Sequence, residues 1–240
     1  MHGWLIVDKP VGLGSTQAVS AVKRALREGG YAKAKVGHGG TLDPLASGVL
    51  PIALCEATKL TGRMLDADQA YEFTIRFGAE TDTLDAEGSV IATCEVRPTL
   101  AEVEAVLARF AGVIEQRPPA FSALKVDGKR AYALARAGKE VQLAGRTVRI
   151  HALSIPPACG EGDHPRLQAG DGGGGSLQSG AGGEPPPPSF GRSPSPSRGG
   201  LEQITLSARV SKGTYVRALA RDVARALGTL GHVVMLCRTK

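Results

Sequence analysis

The segment from Gly37 to Pro51 reads GHGGTLDPLASGVLP and places one carboxylate, Asp43, between a glycine-rich stretch and an apolar run. Pro44 follows at once; it fixes its own φ and has no backbone N–H to donate. A carboxylate on such a turn, beside a segment that looks buried, suggests a group placed for chemistry. The spacing also fits an Asx-Pro turn, in which the side chain binds its own backbone. Taken alone, the spacing favours that structural role.

Positive charge is unevenly distributed along the chain. The 240 residues carry a formal net charge of +6, and segments 117–149 and 207–240 each carry +6, whereas 71–116 carries −6. Blocks of positive charge are typical of surfaces that bind polyanions such as nucleic acids. They also occur on solvated helix faces that have no partner. We interpret the two basic segments as a nucleic-acid-binding surface.

Composition argues against several other classes of protein. No apolar run is long enough to span a membrane, and the N-terminal apolar stretch meets a charge at Asp8, too early for a signal peptide. The four cysteines form no CxxC pair, which argues against a zinc site and a disulfide framework. We therefore expect a cytoplasmic protein with no membrane segment and no metal.

Residues 156–200 differ in composition from the rest of the chain. They contain 13 Gly, 9 Pro and 6 Ser in 45 positions. Such a segment cannot bury enough apolar surface to offset its chain entropy, so we predict a disordered insert. The remaining segments, 1–155 and 201–240, together hold about 195 residues, enough for one sizeable core. We expect them to form a single domain.

Apolar periodicity predicts a mixture of strands and helices. The predicted strands are 4–7, 49–54, 71–77, 148–150, 204–210 and 233–236. The predicted helices run from Ser15 or Thr16 to about 26, from the Thr99 capping box to Gly112, over 129–137, and onward from a cap at Thr214. Because strands and helices do not alternate strictly, we expect an α+β fold with a mixed, largely antiparallel sheet and flanking helices.

An acidic cluster follows the strand at 71–77. Asp82, Asp85 and Glu87 could bind a cation, but they lack the spacing of an EF-hand loop. A polar hairpin turn ending at Gly88 is the interpretation we favour.

Five blocks, in order along the chain, resemble the bacterial tRNA pseudouridine-55 synthase family of the TruB type. The blocks are GWLIVDKPVG (3–12), GHGGTLDPLASGVLP (37–51), YEFTIRFGAETDTLDAEG (71–88), RPPAFSALKVDGKRAYALARAG (117–138) and VSKGTYVRALARDVARALG (210–228). The resemblance implies an enzyme that isomerises uridine to pseudouridine in the T arm of tRNA. Since substrate and product are isomers, it also implies no cofactor and no metal. We expect that the enzyme requires no protein partner and is a monomer.

The resemblance assigns three catalytic positions. Asp43 matches the family's aspartate, and a carboxylate can attack or electrostatically stabilise an electron-poor sugar carbon. Tyr71 matches the tyrosine that stacks on the target base and is a candidate for proton removal. Arg217 matches the arginine that pairs with the aspartate and keeps it ionised and oriented. A cation in the first turn of a helix is unfavourable, and such pairing would explain that cost.

The resemblance also suggests residues that meet the RNA. His38 matches the histidine that fills the space left when the base leaves the RNA stack, an extrusion that costs a few kcal/mol. Lys9 is grouped with the RNA-binding residues, although a role in shaping the active-site loop fits it better. The two basic segments would line an RNA cleft that reads backbone shape. Their candidate members are Lys125, Lys129, Arg130, Arg136, Lys212, Arg221 and Arg225.

The chain departs from the family pattern in several places. Gly14 stands where the family usually has Ser or Thr, and Cys237 where it usually has an arginine. We also expect no C-terminal RNA-binding module after Lys240. A protein that binds or folds tRNA without turnover therefore remains an alternative. A relative that works on guide RNA within a larger particle is a further alternative, and one that the lack of that module disfavours.

Overall fold

A computed structural model describes residues 1–31, 33–126, 128–157 and 200–240. The strands are β1 (Gly3–Lys9), β2 (Val36–His38), β3 (Ala46–Leu54), β4 (Gln69–Phe77), β5 (Ala79–Thr81), β6 (Val90–Thr93), β7 (Gly112–Gln116), β8 (Lys125–Val126), β9 (Lys129–Arg130), β10 (Arg146–Ser154), β11 (Gln203–Val210) and β12 (Gly231–Arg238). The helices are α1 (Ser15–Glu28), α2 (Thr61–Leu65), α3 (Leu100–Leu107), α4 (Ala131–Arg136) and α5 (Val216–Ala226).

One large sheet organises the described part of the chain. Its strand order is β1-β3-β12-β4-β11-β10-β7, and β2 pairs with β3 outside this path. All of these pairs are antiparallel except β12 with β3, which is parallel. The predicted α+β fold with a mixed, largely antiparallel sheet is therefore confirmed.

The core lies between the central strands and the helices. Phe73 and Ile75 of β4, Leu50 and Ile52 of β3, and Leu219 of α5 are all completely buried. Helix α5 packs on β12 and β4 through its apolar face. A helix that is anchored over the middle of the sheet in this way can hold a polar group on its first turn at a fixed position.

The strands on either side of residues 158–199 are neighbours in the sheet. Strand β10 pairs antiparallel with β11, and Ser154 lies opposite Ser207. Most of the predicted disordered insert, 156–200, lies outside the described residues.

Several predicted boundaries were wrong. Lys129 and Arg130 belong to the short hairpin of β8 and β9, so α4 begins only at Ala131. Thr214 does not cap α5: its hydroxyl donates to the Ser211 carbonyl at 2.9 Å, and Tyr215 precedes the helix. Gly112 begins strand β7 and does not simply end a helix. Strand pairing decided the boundaries at Lys129 and Gly112, and apolar periodicity does not report it.

Candidate active site

An ion pair joins the loop before β3 to the first turn of α5. The Arg217 Nη2 atom lies 2.8 Å from Asp43 Oδ2. The Arg217 side chain is only 7% exposed, whereas the Asp43 side chain is 39% exposed. A buried guanidinium thus holds one side of the carboxylate, and the other side is exposed to solvent, where it can bind a ligand.

Arg217 is held by three further acceptors. Its Nη1 atom donates to the Thr83 carbonyl at 2.7 Å and lies 3.2 Å from Asp85 Oδ2. Its Nη2 atom also donates to the Phe121 carbonyl at 3.1 Å. Because both terminal nitrogens are engaged on two sides, the guanidinium has little freedom to rotate away from Asp43.

Asp85 is a site residue that sequence reasoning missed. Its side chain is 3% exposed, and its Oδ1 atom accepts from the Thr83 hydroxyl at 2.6 Å and from the Glu87 backbone N–H at 3.0 Å. The favoured interpretation, a polar hairpin turn, was correct for the backbone because β5 and β6 do pair. It overlooked that one carboxylate of the turn points inward to Arg217.

A strained turn delivers Asp85 to this place. Leu84 adopts φ 64°, a left-handed conformation that is rare for a non-glycine residue. Strand β12 fixes the turn, since the Val233 N–H donates to the Leu84 carbonyl at 3.0 Å and the Ala86 N–H donates to the Val233 carbonyl at 2.9 Å. Strain supported in this way is common at functional sites.

Lys9 and Ser15 fix the loop that carries Asp43. The Lys9 ammonium donates to the carbonyls of Pro10 at 2.9 Å and Leu13 at 2.6 Å, and reaches the Pro44 carbonyl at 3.5 Å. The Ser15 hydroxyl donates to the Leu42 carbonyl at 3.0 Å and accepts from the Leu42 N–H at 2.8 Å. The residues on both sides of Asp43 are thus pinned.

The prediction that Lys9 contacts RNA does not fit its position. The Lys9 side chain is completely buried, and burial lowers the pKa of its ammonium while the charge of Asp43 opposes that shift. Its contacts are those of a residue that shapes the active-site loop. The sequence signal, a lysine followed by Pro10, was compatible with either role.

Tyr71 lies on β4 next to the ion pair. It is buried, and its hydroxyl donates to Gln69 Oε1 at 2.6 Å. Burial raises the pKa of the Tyr71 phenol, the Asp43 charge adds to the rise, and the nearby Arg238 guanidinium opposes it. Tyr71 is therefore a neutral phenol near pH 7, which suits an apolar platform better than a base. Arg217 thus contacts Asp43, and Tyr71 lies near enough to Asp43 to feel its charge.

Arg238 is a second residue that sequence reasoning missed. It is buried at the end of β12, directly opposite Tyr71 in the β4 register. Its Nε atom donates to the Val49 carbonyl at 2.7 Å, and its Nη2 atom reaches the Gly40 carbonyl at 3.5 Å. Gly48 has φ 97° and lies opposite Arg238 in the parallel pair, where a Cβ would collide with the Arg238 carbonyl. The close approach of β12 to β3 therefore requires a glycine at position 48.

His38 ends β2 and is half-buried. Burial lowers the pKa of its imidazole, and the positive charge of Arg238 contributes to that shift. Its Nδ1 atom is buried and has no hydrogen-bond partner among the residues that the structure describes. His38 is thus a neutral ring near the Gly40 backbone and the Arg238 guanidinium.

One predicted RNA-binding group lies on a hairpin next to the site. Lys125, Lys129 and Arg130 are exposed on the β8–β9 hairpin. This hairpin begins four residues after Phe121, whose carbonyl binds Arg217. The segment that carries these cations is therefore hydrogen-bonded to Arg217 through Phe121.

The other predicted basic group is mostly engaged within the protein. Arg221 is buried and donates to the Arg117 carbonyl at 3.0 Å. Arg225 binds both oxygens of Glu80, at 2.9 and 3.1 Å. Lys212 is exposed and pairs with Asp66 at 3.0 Å. The sequence overestimated the free positive charge of segment 207–240, because a charge count does not register burial or pairing.

The described ranges hold neither a metal-binding cluster nor a membrane-spanning helix. No group of three or more His, Cys, Asp or Glu side chains there is placed to hold a metal ion. Among those same residues no helix is both long and apolar enough to cross a membrane.

The chain is similar to known proteins over its whole length. A family profile described as "TruB family pseudouridylate synthase (N terminal domain)" matches residues 27–167. A protein of Novosphingobium aromaticivorans named "tRNA pseudouridine synthase B" is 55% identical over 240 residues, which cover 100% of this chain and 67% of that protein. One of the same name from Zymomonas mobilis is 50% identical over 240 residues, 100% of this chain and 66% of the relative. The chain thus spans about two thirds of the length of these relatives.

Solved structures share the fold. The "Crystal Structure of a Cbf5-Nop10-Gar1 Complex" contains a chain that superposes with a TM-score of 0.61 at 24% sequence identity, and the match covers 99% of this chain and 48% of that one. At this level of identity the likeness concerns the fold alone.

Proposed function

Because the chain belongs to the TruB family of pseudouridylate synthases, we propose that it converts uridine to pseudouridine in tRNA, at position 55 of the T arm. The family supports the reaction class, and two relatives carry a name that specifies tRNA. The position within tRNA and the roles of individual residues are part of the proposal.

The Asp43–Arg217 ion pair is the observation that carries the proposal. A carboxylate used in glycosidic chemistry must be both charged and accessible. Asp43 meets both needs, since Arg217 holds Oδ2 at 2.8 Å while 39% of the Asp43 side chain stays exposed. Its Oδ1 atom has no protein hydrogen-bond partner within the described segments, which leaves it free for a substrate.

The proposed reaction balances without an external reagent. The bond between uracil N1 and ribose C1′ breaks, the base turns, and a bond between C5 and C1′ forms. One hydrogen leaves C5 and N1 gains one, so the product is an isomer of the substrate. Asp43 would supply the negative charge that attacks or stabilises the electron-poor carbon during cleavage.

Tyr71 and His38 would hold the extruded nucleotide. A base inside a folded arm must leave its stack before a side chain can reach the sugar. The neutral, buried Tyr71 ring offers an apolar face next to Asp43 on which the base can stack. The neutral, half-buried His38 ring would occupy the vacated space.

The β8–β9 hairpin would bind the phosphate backbone of the RNA. Its exposed cations, Lys125, Lys129 and Arg130, suit phosphate contacts that read shape and carry no base specificity. Because the Phe121 carbonyl before the hairpin binds Arg217, RNA that docks on the hairpin would lie next to Asp43.

Mass spectrometry of a T-arm transcript tests the proposal. The transcript is incubated with the protein, treated with a reagent that distinguishes uridine from pseudouridine, and fragmented to locate the label. We expect one pseudouridine, at position 55. Tight binding of the transcript without product would support the alternative of a tRNA-binding or tRNA-folding protein and would refute the enzymatic proposal.

A further inference from the structure

A basic cleft lies at the far end of α1 from the candidate active site. It has a volume of about 420 Å³ and is lined by Lys23, Arg27, Tyr31, Lys33 and Ala34. Three of these five residues are cations and one is an aromatic residue that is 50% exposed. A charge count over the first 70 residues does not detect this cluster, because acidic residues elsewhere in that segment offset its positive charge.

The cations of the cleft are available to a ligand. Lys23, Arg27 and Lys33 are exposed and form no ion pair with any residue in the described ranges. Glu28 is the one acidic residue from 23 to 35, and it does not line the cleft. In this respect the cleft differs from segment 207–240, where most of the cations are buried or paired and so are not available to a ligand.

The partial negative charge at the C-terminal end of α1 does not prevent an anion from binding in the cleft. The last carbonyls of a helix carry partial negative charge, but here backbone groups of the chain itself occupy them. The Gly29 N–H donates to the Ala25 carbonyl at 3.0 Å, the Gly30 N–H to Arg27 at 3.1 Å and the Tyr31 N–H to Leu26 at 2.7 Å. The side-chain cations therefore dominate the charge that a ligand meets.

Helix α1 connects the cleft rigidly to the catalytic loop. Ser15, its first residue, binds both backbone groups of Leu42, next to Asp43. The 14 residues of α1 span about 20 Å at about 1.5 Å per residue. One RNA molecule that places a nucleotide at Asp43 can therefore reach the cleft only with a part that is distant from that nucleotide.

We propose that the cleft of Lys23, Arg27, Tyr31 and Lys33 is a second RNA-binding site, which holds the phosphodiester backbone of the tRNA substrate outside the T arm. The proposal rests on the proposed function for the identity of the RNA. Three cations suit consecutive phosphates, and a half-exposed tyrosine beside them suits an unpaired base, which stacks on aromatic rings. Free phosphate or an anionic surface would use the cations alone and leave Tyr31 without a role.

Binding assays with two RNAs and two matched variants test the site. Full-length tRNA and the isolated T-arm stem–loop are titrated against the unmodified protein, R27E/K33E and the control R76E/R109E. Arg76 and Arg109 are exposed and lie outside the cleft, so both variants change the net charge equally. We expect R27E/K33E to weaken binding of full-length tRNA about tenfold more than the control does. It should also lower the slope of log K against log salt by about 1.5, since each phosphate contact contributes about 0.7 to 0.9.

Binding of the isolated stem–loop distinguishes contacts in the cleft from contacts near Asp43. The proposal places the phosphates that the cleft binds outside the T arm, so R27E/K33E should bind the stem–loop no more weakly than the control does. Equal weakening of both RNAs, or equal effects of the two variants on tRNA, would overturn the proposal. Should the charge reversal impair folding, K23Q/K33Q must give the same ranking. Product formation on the stem–loop by the unmodified protein is measured separately, so a failure of the proposed function is distinguishable from a failure of the cleft.

Discussion

Asp85 Oδ2 lies 3.2 Å from Arg217 Nη1, while Asp43 uses the other terminal nitrogen of the same guanidinium. One buried cation thus lies between two carboxylates whose exposures differ greatly, 3% for Asp85 and 39% for Asp43. The buried carboxylate is fully engaged with protein groups, and the exposed one is not. Asp85 therefore anchors Arg217, and Arg217 in turn orients Asp43.

Replacing Asp85 by Asn should slow the reaction without preventing RNA binding. The substitution keeps the shape of the side chain but removes the charge that fixes Nη1, so Arg217 gains freedom relative to Asp43. Misplacement of a catalytic group by about 1 Å can cost on the order of 100-fold in rate. We expect the single-turnover rate to fall by about tenfold to a hundredfold, measured on a T-arm transcript at saturating protein.

Asp82→Asn is the matched control for this variant. Asp82 lies in the same turn and accepts from the Ser89 N–H at 2.9 Å, without contact to Arg217. It should leave the rate within about twofold of the unmodified protein. Equal losses in the two variants would show that the turn as a whole, and not the Asp85 charge, supports the site. Asp85→Asn should also destabilise the fold, because it leaves a buried charge with one partner fewer.

The raised pKa of Tyr71 predicts a loss of stability in alkali. Above pH of about 10 the unfolded chain loses its tyrosine protons, whereas the buried phenol in the folded protein keeps its proton. Ionisation then favours the unfolded state, and the free energy of unfolding falls as pH rises from about 10 to the raised pKa. Tyr71→Phe should flatten this dependence in denaturant titrations between pH 9 and 11.

Tyr132→Phe provides the comparison for alkaline stability, since Tyr132 is more exposed than Tyr71. It should keep the slope of the unmodified protein. At neutral pH, Tyr71→Phe should cost about 1 kcal/mol, because it removes the hydrogen bond to Gln69. An unchanged alkaline slope in Tyr71→Phe would contradict the assignment of the shift to this residue.

Deleting residues 158–199 should leave the fold intact. Strands β10 and β11 pair directly on either side of the deletion, so a four-residue linker can join them as a hairpin. Residues 155–157 and 200–202 stay beside the linker, so the loop between β10 and β11 shortens from 48 to 10 residues, about fivefold. This lowers the entropic cost of closing the loop and should stabilise the protein by up to about 1.4 kcal/mol. The thermal midpoint should stay the same or rise; a fall of more than about 10 °C would contradict the prediction that the segment adds nothing to the core.

Local motifs predicted the parts of the site that depend on short-range chemistry. The turn at Asp43 and Pro44, the strand of Tyr71 and the helix of Arg217 all occur where the sequence suggested them. The α+β class followed from the order of apolar periodicities. Each of these inferences needs only neighbouring residues.

The residues that were missed depend on contacts between distant segments. Asp85 turns inward only because β12 pins the strained turn at Leu84. Arg238 reaches Val49 and the vicinity of Tyr71 only because β12 lies between β3 and β4. Lys9 is buried only because the Asp43 loop folds over it. The periodicity of apolar residues does not predict which distant strands pair.

Single-turnover kinetics of Asp43→Asn tests the central claim most directly. Asn preserves the shape of the side chain but removes the charge that Arg217 holds 2.8 Å away. We predict that pseudouridine formation in a T-arm transcript falls below detection, while the dissociation constant for the transcript changes by less than about threefold. The charge-matched control Asp82→Asn should have normal turnover. A rate for Asp43→Asn within about tenfold of that of the unmodified protein would contradict the claim.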